Sequence, residues 1–250
     1  MSSITPSKEW FGQWFDSPYY HVLYQHRDHD EAEAFMDHLN DYFAFTAEDE
    51  VMDLACGKGR HSIYLNSKGL KVTGVDLSPQ NIEAASAHTN ERLHFHVHDM
   101  RKVFRQEAFD YVLNLFTSFG YFEKDSENQQ AIDAAAAALK PGGRLLIDFL
   151  NPYVVIHNLK PEEVKLIDGI EFHITKHLDE ENYIVKDIRF EDKGRTYHFQ
   201  ERVKAIRRME FLDYFKQAGL LLEDCFGDYD LHEYNADESD RMIFVCRKPE

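Results

Sequence analysis

Between residues 50 and 150, short apolar runs alternate with segments in which apolar residues recur at helical spacing. Apolar runs bounded by turn residues predict strands, and the periodic segments between them predict helices. The predicted strands are Val51–Ala55, Lys71–Asp76, Leu93–Val97, Tyr111–Phe116 and Arg144–Phe149, and the predicted helices lie near His61–Lys68, Pro79–Thr89 and Ser126–Leu139. Strands and helices that alternate in this order form parallel βαβ units, so we expect an α/β fold with a doubly wound, Rossmann-like sheet.

A helical cap is predicted before this region. Asp28-His29-Asp30 supplies capping residues, and the apolar positions between Glu31 and Leu39 follow helical spacing. We bound this N-terminal helical cap at residues 1–46.

After the fifth strand the period changes to two, which predicts a small antiparallel β insertion at residues 156–206. Its strands are Glu171–Leu178, Tyr183–Phe190 and Thr196–Ile206, and Asp192-Lys193-Gly194 is a hairpin turn. A helix, Met209–Ala218, and two strands, Leu220–Phe226 and Met242–Arg247, follow the insertion. The main domain is therefore predicted to combine residues 47–155 with residues 207–250.

Charge and cysteine content narrow the functional classes. The 250 residues include 28 Lys and Arg against 45 Asp and Glu, a formal net charge of −17. That charge repels polyanions, so we expect neither nucleic acid nor an anionic membrane as a partner. Three separated cysteines in no C-x-x-C pair argue against a disulfide framework and a structural zinc site. Since no basic start precedes an apolar run and no stretch reaches about 18 apolar residues, we expect a cytoplasmic protein.

The strongest local motif is a strand that runs into a Gly-x-Gly turn and then a helix, within residues 51–61. Gly57 and Gly59 permit positive φ and close approach of a ligand, and the helix after them offers backbone N–H groups. Asp76 ends the next strand, where a carboxylate accepts the ribose hydroxyls of an adenosine-containing ligand. Asp99 and Met100 follow the third strand, within reach of an adenine ring.

This turn departs from the pyrophosphate-binding fingerprint, because position 62 is Ser62 rather than the third glycine of G-x-G-x-x-G. We therefore expect an adenosine ligand without a diphosphate. An NAD-linked reaction is the less favoured alternative.

Four motifs now stand in order: Asp53–Gly59, Asp76–Ser78, Asp99-Met100, and Leu139–Gly143 before a strand. Together they resemble the ordered motifs of class I S-adenosylmethionine-dependent methyltransferases over about residues 50–150. The resemblance implies a mostly parallel seven-stranded sheet whose last strand inserts antiparallel. The Leu115–Tyr121 segment and the antiparallel insertion are also similar to small-molecule N-methyltransferases of the sugar and glycine types.

The resemblance implies S-adenosylmethionine as the cofactor. Its contacts would come from Tyr19, Tyr24, Arg27, Asp53, Ala55, Cys56, Gly57, Gly59, Arg60, Asp76, Leu77, Asp99, Met100, Leu115 and Phe116. Asp53 and the loop backbone would face the methionine part, and Asp76 would face the ribose. The residues after the second and third strands would contact the adenine, and the Leu115 carbonyl with Phe116 would face the amino group and the sulfonium. Tyr19 and Tyr24 either close over the cofactor or pack the cap.

The acceptor side is less defined. Phe119, Tyr121, Phe122 and Tyr153 are the expected substrate wall, because they follow the fourth and fifth strands. Methyl transfer is an in-line displacement that needs alignment and, for an amine, a base that keeps the nitrogen neutral. The candidates for that base are Tyr121, His157, His173 and His198, and no spacing selects among them.

Three other motifs have simpler explanations. His94, His96 and His98 alternate along a strand, but with no fourth ligand we expect a solvated face and no metal. Asn151-Pro152-Tyr153 is a turn near the pocket. The basic residues Arg202, Lys204, Arg207 and Arg208 are read as a solvated strand face, with recognition of an acidic substrate as the alternative.

The sequence thus favours a methyltransferase acting on a small molecule, with an amine nitrogen as the acceptor and a monomer or homodimer as the assembly. The alternatives are O-methylation and a non-catalytic S-adenosylmethionine-binding protein. The acidic excess lies in the N-terminal helix and in the loop Asp228–Asp240, which would attract a cationic or neutral acceptor.

Overall fold

The structure, a computed structural model, describes residues 14–24 and 29–250. The helices are α1 (Pro18–Leu23), α2 (His29–Phe43), α3 (Arg60–Ser67), α4 (Pro79–Ser86), α5 (Asp125–Ala138), α6 (Pro152–His157) and α7 (Arg208–Gln217). The strands are β1 (Glu50–Leu54), β2 (Lys71–Asp76), β3 (Leu93–Val97), β4 (Phe109–Asn114), β5 (Leu139–Leu150), β6 (Glu162–Ile167), β7 (Ile170–Leu178), β8 (Tyr183–Asp192), β9 (Arg195–Lys204), β10 (Leu221–Phe226) and β11 (Arg241–Arg247).

Seven strands form one sheet in the order β10-β11-β5-β4-β1-β2-β3. The strands β3, β2, β1, β4 and β5 pair in parallel, and β11 runs antiparallel to both β5 and β10. The order confirms the predicted doubly wound, mostly parallel, seven-stranded sheet with an antiparallel last strand.

The central strands are mostly apolar because helices cover both faces of such a sheet. Val51, Val112, Leu113 and Leu146 are all essentially inaccessible to solvent. In α2, Phe35, Met36 and Leu39 are likewise buried in this core. The periodicity that predicted α2 therefore marks the face that packs on the sheet.

The strand β5 begins five residues before its predicted start at Arg144. Leu139 pairs with Phe109, and a register shift between Phe109 and Tyr111 accommodates the Pro-Gly-Gly segment inside the strand. Gly143 is required there, because a Cβ atom would lie 3.0 Å from the Asp110 carbonyl oxygen. The sequence Pro-Gly-Gly is typical of a turn, but pairing with β4 overrides that local preference.

The insertion is a four-stranded antiparallel sheet in the order β6-β7-β8-β9. The three predicted strands are present, and Lys193 and Gly194 both have positive φ in the β8–β9 hairpin, as a two-residue turn requires. The edge strand β6 was not predicted. Its residues are mostly exposed, so they lack the apolar alternation that identified its neighbours.

The chain divides into two compact units. The smaller unit holds residues 14–24 and 155–205, and the larger holds residues 29–154 and 206–250. Helix α2 thus lies in the larger unit, whereas the predicted cap placed residues 1–46 together. The cause is the apolar face of α2, which is buried in the core of the seven-stranded sheet.

The structure bears on two expectations from the sequence, one about the cysteines and one about membrane-spanning segments. Cys56, Cys225 and Cys246 are free thiols, and burial raises the pKa of each one. Within residues 14–24 and 29–250, no helix is long and apolar enough to cross a membrane.

Replacing Gly59 tests the packing of the first loop. Gly59 has a φ of +80°, and an added Cβ would lie 2.6 Å from the Phe95 ring, whereas Gly219, with a φ of +73°, has open space around it. We expect Gly59→Ala to lower the free energy of unfolding by about 1–3 kcal/mol more than Gly219→Ala, since only the first adds overpacking to backbone strain. Urea unfolding of both variants measures the difference, and equal losses would contradict this packing.

Candidate active site

The sheet order identifies where a ligand fits. From β1 the chain proceeds outward to β2 and β3 on one side, whereas β4 and β5 lie on the other. In open α/β sheets, ligands bind outside the carboxyl ends of the strands at such a switch point. Two loops flank it here, residues 55–59 after β1 and residues 115–118 after β4.

The backbone of the first loop allows a ligand to approach it closely. Ala55, Gly57 and Gly59 all have positive φ, and the Ala55 and Cys56 amides both donate to the Val75 carbonyl oxygen. A Cβ at Gly57 would meet nothing within 4 Å, so this side of the loop is open. Helix α3 begins directly after Gly59 with no side-chain cap, and its N-terminal turn suits an anionic group.

Asp76 fixes the shape of this loop. One carboxylate oxygen accepts the Gly57 amide at 2.9 Å and the other accepts the Ser78 amide at 2.8 Å. Ser78 itself caps α4 by accepting the Asn81 amide at 3.0 Å. Asp76 is therefore not the cap of α4, and its carboxylate stands at the carboxyl end of β2 beside the glycine loop.

Asp53 lies beneath the loop and is almost fully buried. Its carboxylate accepts the Ser62 hydroxyl at 2.6 Å. Burial raises the pKa of Asp53 to about 6, and the negative charge of Asp76 adds to this effect while the Ser62 hydrogen bond opposes it. Ser62, the residue in place of the third glycine, thus connects α3 to the end of β1.

At the end of β3, Asp99 is held by Arg101 rather than left open. The Arg101 guanidinium lies 2.7 Å from Asp99 and 2.7 Å from Glu127. Although burial acts to raise it, this guanidinium holds the pKa of Asp99 below its ordinary value. Met100 is half-buried and Leu77 is 40% exposed. Adenine contacts by these residues remain a prediction.

The second loop carries the Leu115–Phe116 pair predicted at the cofactor. Phe116 and Thr117 both have positive φ, of 55° and 59°. The Phe116 ring stacks on His61 with 4.8 Å between centroids, and the Arg60 guanidinium lies 5.0 Å from the same ring. Residues at the start of α3 and residues after β4 are thereby in contact across the switch point.

The predicted substrate aromatics differ in exposure. Phe119 and Phe122 are buried, and Phe119 packs on Phe211 with centroids 5.7 Å apart, so these two rings stabilise the core. Tyr121 donates its hydroxyl to the Thr117 carbonyl oxygen, which places it at the second loop. Tyr153 is half-exposed, with Arg207 over its ring.

The remaining predicted residues belong to the smaller unit. Tyr19 donates to Asp192 at 2.8 Å, and Tyr24 donates to Glu201 at 2.6 Å. His173 lies 2.7 Å from Glu171 and His198 lies 2.8 Å from Asp187, while His157 ends α6. Arg27 lies outside the described residues. Roles for these residues at the cofactor or the acceptor stay predictions.

The motifs given simpler explanations behave as local structure. His98 hydrogen-bonds the Lys102 carbonyl oxygen at 2.7 Å, and Arg202 pairs with Asp179 at 2.7 Å. Asn151 is fully buried and donates to the carbonyl oxygens of Ala236 and Ser239, which ties the end of β5 to the acidic loop. Within the described chain, Asp228, Asp230 and His232 lie close enough together to suit a metal ion, on an exposed stretch of that loop.

Sequence reasoning missed a buried polar cluster beside Phe116. Asp148, in the apolar strand β5, is fully buried, and Arg241 at the start of β11 pairs with it at 2.6 Å. The Phe116 amide donates to Asp148 at 2.7 Å. One feature of the sequence could have indicated it: a single carboxylate stands within the apolar run Leu-Leu-Ile-Asp-Phe-Leu. Since a buried charge requires a partner, such a residue predicts a basic side chain beside it.

A cavity of about 480 Å³ lies within the larger unit, between α2 and the loop that leads to β11. Its acidic residues are Glu31, Asp228, Asp230 and Asp240, and its other lining residues are Ala34, Phe35, His38, Tyr229 and Arg241. The Tyr229 ring separates the cavity from the second loop, since it stacks on Phe116 at 4.9 Å and on Phe35 at 4.6 Å.

The raised pKa of Asp53 gives a pH test of the site. A carboxyl group whose pKa is about 6 when folded and about 3.8 when unfolded stabilises the fold below pH 4 and loses that contribution as pH rises through 6. Relative to Asp53→Asn, the wild type should therefore lose about 2 kcal/mol of unfolding free energy between pH 4 and pH 7. Urea unfolding of both proteins across this range measures the slope. A constant difference would contradict a raised pKa.

Comparisons with known proteins agree with this geometry. Residues 51–143, from β1 into β5, match a family model described as a methyltransferase domain. A protein of Geobacillus sp. (strain WCH70) named as a methyltransferase is 23% identical over 250 residues, which cover 96% of this chain and 99% of the relative. The ubiquinone biosynthesis O-methyltransferase of Xanthomonas axonopodis pv. citri (strain 306) is 29% identical over 182 residues, 71% of this chain and 64% of that protein.

Solved structures share the fold. An S-adenosylmethionine-dependent methyltransferase from Clostridium acetobutylicum ATCC 824 superposes with a TM-score of 0.77 at 18% identity, covering 93% of this chain and 96% of that one. CalS10, an amino pentose methyltransferase from Micromonospora echinaspora in its S-adenosylmethionine-bound form, has a TM-score of 0.69 at 22% identity, covering 93% and 97%. Residues 51–143, which hold both loops of the switch point, therefore match a methyltransferase domain, and the chain shares its fold with S-adenosylmethionine-dependent methyltransferases of known structure.

Proposed function

We propose that this methyltransferase transfers the methyl group of S-adenosylmethionine to an amine nitrogen of a small molecule. The cofactor would lie across the two loops of the switch point. Asp76 would accept its ribose hydroxyls, and the start of α3 with Arg60 would meet its carboxylate. The residues after β4 would face its amino group and sulfonium.

The observation that supports an amine is the acidic and aromatic lining of the cavity beside Phe116. Four carboxylates line it, and its one guanidinium, that of Arg241, is paired with Asp148. The rings of Phe35, Tyr229 and Phe116 stand in a row, with 6.3 Å between Phe35 and Phe116. Carboxylates attract a cationic molecule, and aromatic faces hold ammonium groups by cation–π attraction. A phosphorylated or carboxylated acceptor would be repelled.

The chemistry requires positioning more than a protein nucleophile. An acceptor bound as an ammonium would first release a proton to water. The lone pair of the neutral amine would then form a bond to the methyl carbon as the bond from that carbon to sulfur breaks, which would leave S-adenosylhomocysteine and a methylated ammonium. The protein aligns the three atoms and excludes water. The carboxylates of the cavity would raise the local concentration of a cationic acceptor beside the second loop.

Removing the Asp76 carboxylate tests the cofactor side. We expect Asp76→Ala to weaken binding of S-adenosylhomocysteine at least about 100-fold, because two charge-assisted hydrogen bonds to ribose hydroxyls would be lost together with support of the Gly57 loop. Isothermal titration calorimetry measures the affinity. The control is Glu48→Ala, which removes an exposed carboxylate that precedes β1 at the opposite edge of the sheet. Equal affinities in the two variants would refute the assignment of Asp76.

Charge neutralisation on α2 tests the acceptor side. Glu31 lines the cavity, whereas Glu33 is an exposed carboxylate of the same helix outside it. With an amine substrate, Glu31→Gln should raise the acceptor KM by about 3- to 10-fold and leave the KM for S-adenosylmethionine unchanged, since only the acceptor loses an attracting charge. Glu33→Gln should match the wild type. Steady-state kinetics on substrates found in a panel of amines, phenols and thiols gives the comparison, and methylation confined to phenols would overturn the amine proposal.

A further inference from the structure

A strained turn follows β4, and the ion pair between the fully buried Asp148 and the largely buried Arg241 supports it. Thr117 has a φ of 59°, which is unfavourable for a β-branched side chain. Phe116 beside it also has positive φ, so two consecutive residues depart from ordinary conformations. Such backbone persists only where its surroundings hold it in place, and it occurs mainly at functional sites.

Three hydrogen bonds hold this turn to β5 and β11. The Phe116 amide donates to the Asp148 carboxylate at 2.7 Å, and the Thr117 amide donates to the Asp148 carbonyl oxygen at 3.0 Å. The Arg241 guanidinium donates to the Thr117 hydroxyl at 2.8 Å while it pairs with Asp148. The side chain and backbone of one aspartate thus fix both residues of the turn, and Arg241 fixes the second residue again.

The same cluster reaches the acidic loop. The Tyr229 hydroxyl donates to Asp148 at 3.3 Å, and its ring stacks on Phe116. Burial and the charge of Asp148 both raise the pKa of Tyr229, so it stays protonated and able to donate. The Phe116 ring is consequently bounded by Tyr229 on one side and by His61 at the start of α3 on the other.

We propose that Asp148 and Arg241 are positioning residues that hold the Phe116–Thr117 turn in the conformation that binds the cofactor and orients its methyl group. The argument rests on the proposed position of the cofactor at the switch point but not on the identity of the acceptor. A fully buried carboxylate is costly to maintain in a strand interior unless it is paired, and the largely buried guanidinium of Arg241, at the start of β11, supplies that pair. Their partners include the backbone and side chains of the turn and Tyr229 of the loop that leads to β11.

Thr117→Val isolates this effect. Valine keeps the shape and the backbone strain of threonine and removes only the hydroxyl that Arg241 contacts. The matched control is Thr73→Val, which makes the same change at a buried position in the middle of β2. We expect Thr117→Val to bind S-adenosylhomocysteine about tenfold more weakly than the wild type, the size expected for one hydrogen bond from a charged donor. Its urea midpoint should stay close to that of Thr73→Val.

A second variant completes a double-mutant cycle. Arg241→Lys keeps a positive charge beside Asp148 but loses the guanidinium that contacts Asp148 and Thr117 together. If both variants act through one contact, Arg241→Lys should lower the affinity for S-adenosylhomocysteine less in the Thr117→Val background than in the wild type. Urea unfolding under the titration conditions measures the folded fraction of each protein.

The outcomes separate this inference from the proposed function. Unchanged affinity in Thr117→Val, or losses that follow only the folded fraction, would show that the cluster is merely structural and would overturn the inference. Absence of S-adenosylhomocysteine binding by the wild type would overturn the position of the cofactor and the inference with it. If the wild type binds S-adenosylhomocysteine but methylates no amine, the amine proposal fails, and the affinity of Thr117→Val still decides the inference. With a substrate in hand, kcat should fall in Thr117→Val while the acceptor KM stays constant.

Discussion

The reversal of strand order at β1 is the constraint on which the rest of the site depends. Because β2 and β4 flank β1, the loops after β1 and β4 diverge to opposite sides and leave a crevice between them. The Gly57–Gly59 loop, the Asp76 carboxylate and the Phe116–Thr117 turn all stand at this edge of the sheet. Parallel pairing brings them together although up to 60 residues separate them in the chain.

The glycine loop and the Asp76 carboxylate of the proposed cofactor site could be placed from the sequence because their signals are local. Glycines before a helix, a carboxylate after an apolar strand and a proline after Ser78 each occupy a few consecutive residues, and βαβ topology fixes where they meet. The strand β2 and the strand β3 are present with their predicted bounds, since each is an apolar run between clear turn residues. The edge strand β6 is not an apolar run between turn residues, and it was therefore not predicted.

The proposed acceptor side could not be predicted in the same way, because its contacts join residues far apart in the chain. The ion pair of Asp148 and Arg241 spans 93 residues, and the Tyr229 ring reaches Phe116 from the acidic loop, whose charge gives no sign of this contact. Phe119 and Phe122 follow β4 as a substrate wall would, yet both are buried. Position after a strand limits where a side chain can lie, and tertiary packing decides which way it faces.

Charge complementarity links the composition to the site. The net charge of −17 first excludes polyanions, and the structure concentrates four carboxylates at a cavity whose aromatic wall borders Phe116. The most direct test is carbon-13 NMR of the products formed from methyl-labelled S-adenosylmethionine and a panel of small acceptors that includes matched amines and phenols. The account predicts that the labelled methyl carbon is bonded to nitrogen. A label found only on oxygen would contradict it.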